Sequence, residues 1–144
     1  MRGPELTSSA VPSPHLQRRV REAQAFMRAN LDRDVDLSTI AREASLSPYY
    51  FARAFTASVG VPPYRYLIRL RMERAQELLR TSELTVTQVC QRVGFNSLSH
   101  FTTTFHRHTG TTPTAYRRRM DFERDVRFSA ATNALVRQPK RANI

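Results

Sequence analysis

The stretch from Asp36 to Tyr66 recurs, weakly disguised, from Thr85 to Tyr116. Ile40-Ala41 matches Val89-Cys90, Ala44 matches Val93, Phe51 and Phe55 match Phe101 and Phe105, and Gly60, Pro63 and Tyr66 match Gly110, Pro113 and Tyr116. The offset is 49 residues before the middle of the unit and 50 after it, so one residue is inserted in the second copy near Asn96-Ser97. A duplicated unit constrains the fold more than any other single feature, because each copy must be one supersecondary element. In a chain of 144 residues the two copies form lobes of about 50 residues each, marginal alone and expected to share a core.

The hydrophobic period within each copy is helical. From about His15 to Leu31 the residues Leu16, Val20, Ala23, Met27 and Leu31 form one amphipathic stripe, expected to cover the first lobe. Asp36 is placed to cap a short helix over about Leu37 to Ala44, and Ser47 caps a second one that opens on Pro48 and ends at Gly60. A short helix, a tight turn and a second helix with an aromatic inner face make a helix-turn-helix. In the second copy Thr85 is the cap, Gly94 takes a positive φ that the equivalent Ser45 tolerates less well, and the second helix runs from about Ser97 to Thr109.

Between the copies, from Pro63 to Arg80, the apolar residues Leu67, Ile68, Leu70, Met72, Ala75, Leu78 and Leu79 cover an arc of roughly 200°, too wide for a helix with one neighbour. This segment is expected to be a rigid connector gripped by both lobes, about 17 residues or roughly 26 Å long. Arg71 falls inside the apolar arc, either as a buried, paired arginine or as a snorkelling one, and a structural role is favoured. The expected architecture is therefore all-α with about seven helices. A flexible arm spans residues 1–14, the first lobe 15–62, the linker helix 63–80, the second lobe 81–119, and a basic, partly flexible extension 120–144, in which Phe122, Val126 and Phe128 extend and dock the last helix.

Charge narrows the function. Lys and Arg number 23 against 12 Asp and Glu, for a net charge of +11, and every basic residue except Lys140 is arginine. That balance points to a polyanionic partner, and arginine suits forked contacts to phosphate and guanine. One cysteine rules out a disulfide framework and a Cys-based zinc site, and Cys90 stands where the first copy has Ala41, as a small buried residue. No apolar run approaches the roughly 18 residues that span a bilayer, and the N-terminus lacks a signal-peptide stretch, so a cytoplasmic setting is expected. His15, His100, His106 and His108 lack metal-ligand spacing, so neither a metal nor another cofactor, nor an enzyme, is expected.

The outward face of the second helix carries Tyr49, Ala52, Arg53 and Thr56 in the first unit, and Ser99, His100, Thr103 and Arg107 in the second. Such groups have the reach and hydrogen-bonding character to touch base edges in the major groove. A connector of roughly 26 Å plus the lobes spaces the two helices by about one turn of B-DNA, near 34 Å, and any shortfall would demand DNA bending at about 1–6 kcal/mol.

These residues carry a resemblance. Asp36 to Ala41, Leu46 to Phe55, Gly60, Pro63, Tyr66-Leu67, Arg71, Ala75 and Leu78-Leu79, followed by Val89-Cys90, Val93 to Phe95, Phe101, Phe105, Gly110, Pro113 and Tyr116-Arg117, resemble the two-unit DNA-binding domain of the AraC family of bacterial transcription regulators. The resemblance covers about 100 residues, from near His15 to Arg119. It implies a bilobed helical domain, binding of double-stranded promoter DNA as a monomer or weak dimer, nucleoid association, and contact with RNA polymerase. It places base contacts at Tyr49, Ala52, Arg53, Ser99, His100 and Thr103, and backbone contacts are expected at Ser47, Thr56, Arg65, Asn96, Ser97, Arg107 and Arg117. Thr103 departs from the pattern, in which a basic residue is usual, so the second unit is expected to read bases weakly or mainly grip the backbone. Most members add a ligand-sensing domain for which this chain has no room, as in small stand-alone regulators or a fragment of a larger one. A different class, a regulator that sequesters another protein, would show only weak, sequence-indifferent DNA affinity.

Overall fold

The computed structural model describes residues 12–136. It comprises α1 (Pro14–Ala29), α2 (Leu37–Glu43), α3 (Pro48–Val59), α4 (Pro63–Thr81), α5 (Val86–Arg92), α6 (Leu98–Thr109) and α7 (Pro113–Val136), with no strand among the described residues. The expected arm lies outside the described residues except at its end, where the Ser13 side chain accepts from the Leu16 amide and starts α1.

Local chemistry places the other helix ends where the repeat put them. Asp36 accepts from the Thr39 amide at 2.8 Å and Ser47 from the Tyr50 amide at 3.3 Å, while Thr85 and Gln88 satisfy one another's backbone in a capping box. Gly60 and Gly110 end α3 and α6 in the left-handed conformation, at φ +90° and +81°. The turns inside the two units are the same Schellman turn: Leu46 N–H donates to Ala41 O at 2.9 Å, and Phe95 N–H to Cys90 O at 3.0 Å. Ser45 holds the left-handed position of the first turn at φ +58° and Gly94 that of the second at +86°. Because Leu46 and Phe95 are equivalent and both recognition helices are capped by serine, the residue inserted in the second unit is Asn96.

Two cores form, one per lobe, in place of the shared core expected of lobes this small, because α4 turns a different stripe to each. Leu16, Val20, Ala23 and Met27 of α1 pack with Ile40, Ala41, Phe51, Phe55, Tyr66 and Leu67, whereas Met72, Ala75 and Leu79 pack with Val89, Cys90, Val93, Phe95, Phe101 and Phe105. The wide apolar arc of α4 thus has a specific origin. Pro63, Tyr66, Leu67 and Leu70 form one stripe belonging to the first lobe, and Ile68, Met72, Ala75, Leu78 and Leu79 a second stripe belonging to the other. At 100° per residue the centres of the two stripes lie roughly 140° apart around the helix axis. The connector is handed from one core to the next along its length.

Arginines close several helix ends. Arg19 donates to Ala44 O at 3.0 Å at the end of α2, and Arg124 to Arg80 O at 3.0 Å near the end of α4. Both place a cation where the helix dipole is negative. The C-terminal expectation needs correction in one respect. Phe122, Val126 and Phe128 do extend α7, but they do not dock, being 68%, 49% and 72% exposed, because α7 projects beyond the α4 surface that its first turns cover.

Candidate nucleic-acid interface

α3 and α6 are the second helices of the two units, and their burial pattern is the same at every position from Phe51 to Gly60 and from Phe101 to Gly110. Phe51, Ala54 and Phe55 are inward in α3, and Phe101, Thr104 and Phe105 in α6. Their rings stack at tilted angles, Phe51 to Phe55 at 5.6 Å and Phe101 to Phe105 at 5.9 Å between centroids. The anchored inner face leaves the outer face of each helix in solvent.

On α3, Tyr49 is 72% exposed and Arg53 is exposed beside it, one turn on. Arg53 Nη1 donates to the Tyr49 hydroxyl at 2.8 Å, and its guanidinium carbon lies 5.6 Å from the ring centroid. The phenol thus holds one edge of the exposed guanidinium. Ala52 is half-buried, at the edge of a cleft of about 530 Å³ between the lobes. Ser97 and His100 line the other side of that cleft, and the His100 ring packs edge-on against Phe95 at 5.2 Å. Ser99 and Thr103 are exposed on α6. The cleft therefore brings Ala52, Ser97 and His100 together, while Tyr49 and Arg53 stand outside it.

The expected backbone contacts divide into three groups. Ser47 and Ser97 accept from the Tyr50 and His100 amides as N-caps, which leaves each hydroxyl hydrogen to donate to a phosphate. Arg65, Asn96 and Arg107 are exposed, on α4, on the inserted turn and in the last turn of α6. Thr56 and Arg117 are differently engaged. The single hydroxyl hydrogen of Thr56 goes to Ala52 O at 2.8 Å, and Arg117 is half-buried, its Nε donating to Leu79 O at 3.3 Å and its Nη2 to Ser82 O at 3.5 Å. Arg117 thus ties α7 to the end of α4.

Two features escaped the reading of the sequence. With the 50-residue offset, Thr102 takes the place of Ala52, half-buried in the same way, so it joins the candidate reading face of α6. Applying the offset residue by residue, instead of scanning for side-chain type, finds it. The second feature is the distribution of acid: none of the 12 Asp and Glu lies between residues 44 and 72 or between 84 and 120, the segments that hold α3 and α6. Arg53, Arg65 and Arg69 on the one, and Arg92, Arg107, Arg118 and Arg119 on the other, are exposed there. On α4 and α7, by contrast, Arg74 pairs with Glu77, Arg119 with Glu123 and Arg124 with Asp121. Neither α3 nor α6 therefore carries an acidic side chain of its own, as suits a surface that meets phosphate, although Asp34 and Asp36 line the cleft between them.

Among the described residues no helix is long and apolar enough to cross a membrane. A family model described as a helix-turn-helix domain matches residues 40–119. The HTH-type transcriptional activator RhaS of Shigella boydii is 36% identical over 97 residues, which are 67% of this chain and 35% of RhaS. The DNA-binding domain of AdpA, a global transcriptional factor solved in complex with a target DNA, superposes with a TM-score of 0.72 at 34% identity, covering 74% of this chain and 96% of that one. A Chromobacterium violaceum transcriptional regulator with an AraC-type DNA-binding domain superposes with a TM-score of 0.67 at 30% identity, covering 72% of this chain and 93% of that one. The chain spans about a third of the length of the curated relatives it matches, 36% and 35% for the first two.

Proposed function

Because the chain belongs to the AraC family of helix-turn-helix transcription regulators, we propose that it reads promoter DNA by seating α3 and α6 in successive major-groove segments on one face of the duplex. The observation that carries this reading is the pair of recognition helices that hold no acidic residue of their own, matched position by position and joined through one continuous helix. Tyr49 and Arg53 read bases from the first unit, with Arg53 gripping guanine, and Ala52 offers a methyl to thymine. Ser99, His100, Thr102 and Thr103 supply weaker hydrogen-bonding and methyl contacts from the second. Ser47, Ser97, Arg65, Asn96 and Arg107 fix the register on phosphates. The chain acts in this reading as a monomer on DNA, and its promoter-bound form contacts RNA polymerase.

Selection of bound sites from random DNA at two salt concentrations tests it. The expected product is an asymmetric site with two reads about one helical turn, 34–36 Å, apart, bound less tightly as salt rises. Arg53→Ala should lose about 1–3 kcal/mol of discrimination at one base step. Recovery of no sequence preference, or an Arg53→Ala variant that weakens cognate and scrambled DNA alike, refutes base reading by α3. A palindromic site would replace the monomer with a dimer.

A further inference from the structure

Arg71 lies where α4 passes from one core to the other, between Leu67 and Leu70 of the first lobe and Met72 of the second. It is 7% exposed. Its Nη2 donates to Arg33 O at 3.0 Å, on the loop between α1 and α2, and its guanidinium carbon sits 5.8 Å from the centroid of Phe95, on the turn between α5 and α6. At the same point the two lobes touch: a Cβ added to Gly94 would lie 2.2 Å from Leu31 O and 3.0 Å from Arg71 Nη2. One loop of the first lobe, one turn of the second and the guanidinium between them make a single three-part contact.

That contact is a costly way to hold two lobes together. Arg71 Nε is buried with no hydrogen-bond partner, and burial lowers the affinity of the guanidinium for its proton, with Asp34 only opposing the shift. For stability alone, an apolar side chain of similar volume serves as well or better. What a planar fork adds is direction, since one edge is fixed by a carbonyl of the first lobe while its face lies over a ring of the second. The cleft beside it has apolar walls, including Leu37, Ile40, Leu67 and Ile68, and its rim carries Ala52 on one side and Ser97 and His100 on the other. Any swing of the lobes opens or closes that cleft and moves α3 relative to α6.

We propose that Arg71 is a positioning residue that sets the distance between the two recognition helices, and with it the half-site spacing that the protein accepts. The proposal rests on the reading that both helices enter DNA. A swing of about 14° about Arg71, acting over half of α4, about 14 Å, displaces a recognition helix by about 3.4 Å, the rise of one base pair. A modest loosening of the fork therefore blurs the spacing by a whole step.

The test has two independent arms. Spin labels are placed at Ser58 and His108, exposed and equivalent positions on α3 and α6, in a Cys90→Ala background that copies Ala41 of the first unit. Double electron–electron resonance should give a narrow distance distribution, and Arg71→Met should shift or widen it by about 3 Å or more. Where Arg71→Met fails to fold, Phe95→Leu, which removes the ring beneath the guanidinium, carries the same expectation. An unchanged distribution in a folded variant overturns the proposal. In the second arm, duplexes carrying the selected site with one base pair inserted between its halves should bind about tenfold more weakly to the parent protein and less than about threefold more weakly to Arg71→Met. The salt slope and the base preference at the Arg53 step should stay as they are. An equal tenfold penalty in both proteins overturns the proposal, whereas failure of the parent protein to select any site refutes the DNA reading and leaves the distance arm to judge the lobes.

Discussion

Substituting Gly94 should damage the protein more than substituting Gly60 or Gly110, although all three glycines hold a left-handed backbone. Their φ values are +86°, +90° and +81°, so alanine meets nearly the same intrinsic strain at each, about 1–2 kcal/mol. Ser45, at φ +58° in the equivalent turn of the first unit, shows that the fold supports that strain. The difference is in the surroundings. A Cβ at Gly60 or Gly110 meets nothing within 4 Å, but at Gly94 it would come within 2.2 Å of Leu31 O, a backbone atom of the other lobe. An ordinary carbon–oxygen contact is about 3.3 Å or longer, so the loop must retreat by about 1 Å, and overpacking of this kind costs about 1–3 kcal/mol. Gly94→Ala should then lose about 2–5 kcal/mol against about 1–2 for the other two. Urea unfolding followed by circular dichroism, extrapolated linearly to water, measures all three. If Gly94→Ala and Gly110→Ala agree within about 0.5 kcal/mol, the lobes do not meet at Gly94 as described.

Two further outcomes separate structural from DNA-binding roles and test the helix caps. Arg117→Ala should lower stability by about 1–2 kcal/mol, through the carbonyls of Leu79 and Ser82 that it leaves unpaired, without changing the salt slope of DNA binding. A slope reduced by about one would restore Arg117 to the phosphate contacts. The Asp36 carboxyl is held below the ordinary aspartate value, first by the Thr39 amide, then by the Thr39 hydroxyl and Arg42. A carboxylate with a lowered folded value stabilises the protein above its unfolded value, near 3.9, and loses that contribution as pH falls through the folded one. Asp36→Asn keeps the cap acceptor but does not titrate, so its Tm should fall less steeply than that of the parent protein below about pH 4. Parallel Tm curves would show that the Asp36 carboxylate contributes no pH dependence.

Much of the fold was legible because its signals are local. Asp36, Ser47, Thr85 and Ser97 cap the helices they precede, Gly60 and Gly110 end the ones they follow, and the linker helix, expected to stop at Arg80, stops at Thr81. Each of these choices is made within one helical turn. The duplication then supplied the pairing of the two units. What stayed illegible depends on groups far apart in the chain. Nothing near Arg117 announces that the end of α4 will lie beneath it, so it reads as one more cation in the run Arg117-Arg118-Arg119. Phe122, Val126 and Phe128 continue the helix, but apolar character does not name a partner, and no core reaches them. Arg71 reads as structural, with burial and snorkelling both open, and its burial between the two anchors Arg33 and Phe95 emerges only when the lobes are assembled. For the reading face, the outward positions of Tyr49, Arg53, Ser99 and Thr103 follow from helical period alone, whereas Thr102, half-buried like Ala52, lies at the edge of that face where the period is ambiguous.

The two stripes of α4 have a consequence for how such a protein can change over evolutionary time. Each residue added to or removed from α4 between Leu70 and Met72 would turn the second lobe by about 100° and shift it by only about 1.5 Å. A base pair inserted into the site turns the far half by about 35° and shifts it by about 3.4 Å. The two screws do not mesh, so no small insertion in the protein can follow a small insertion in its DNA. Drift in operator spacing therefore has to be met by side-chain substitution at the junction of the lobes. The length of α4 thus acts as a barrier to indels.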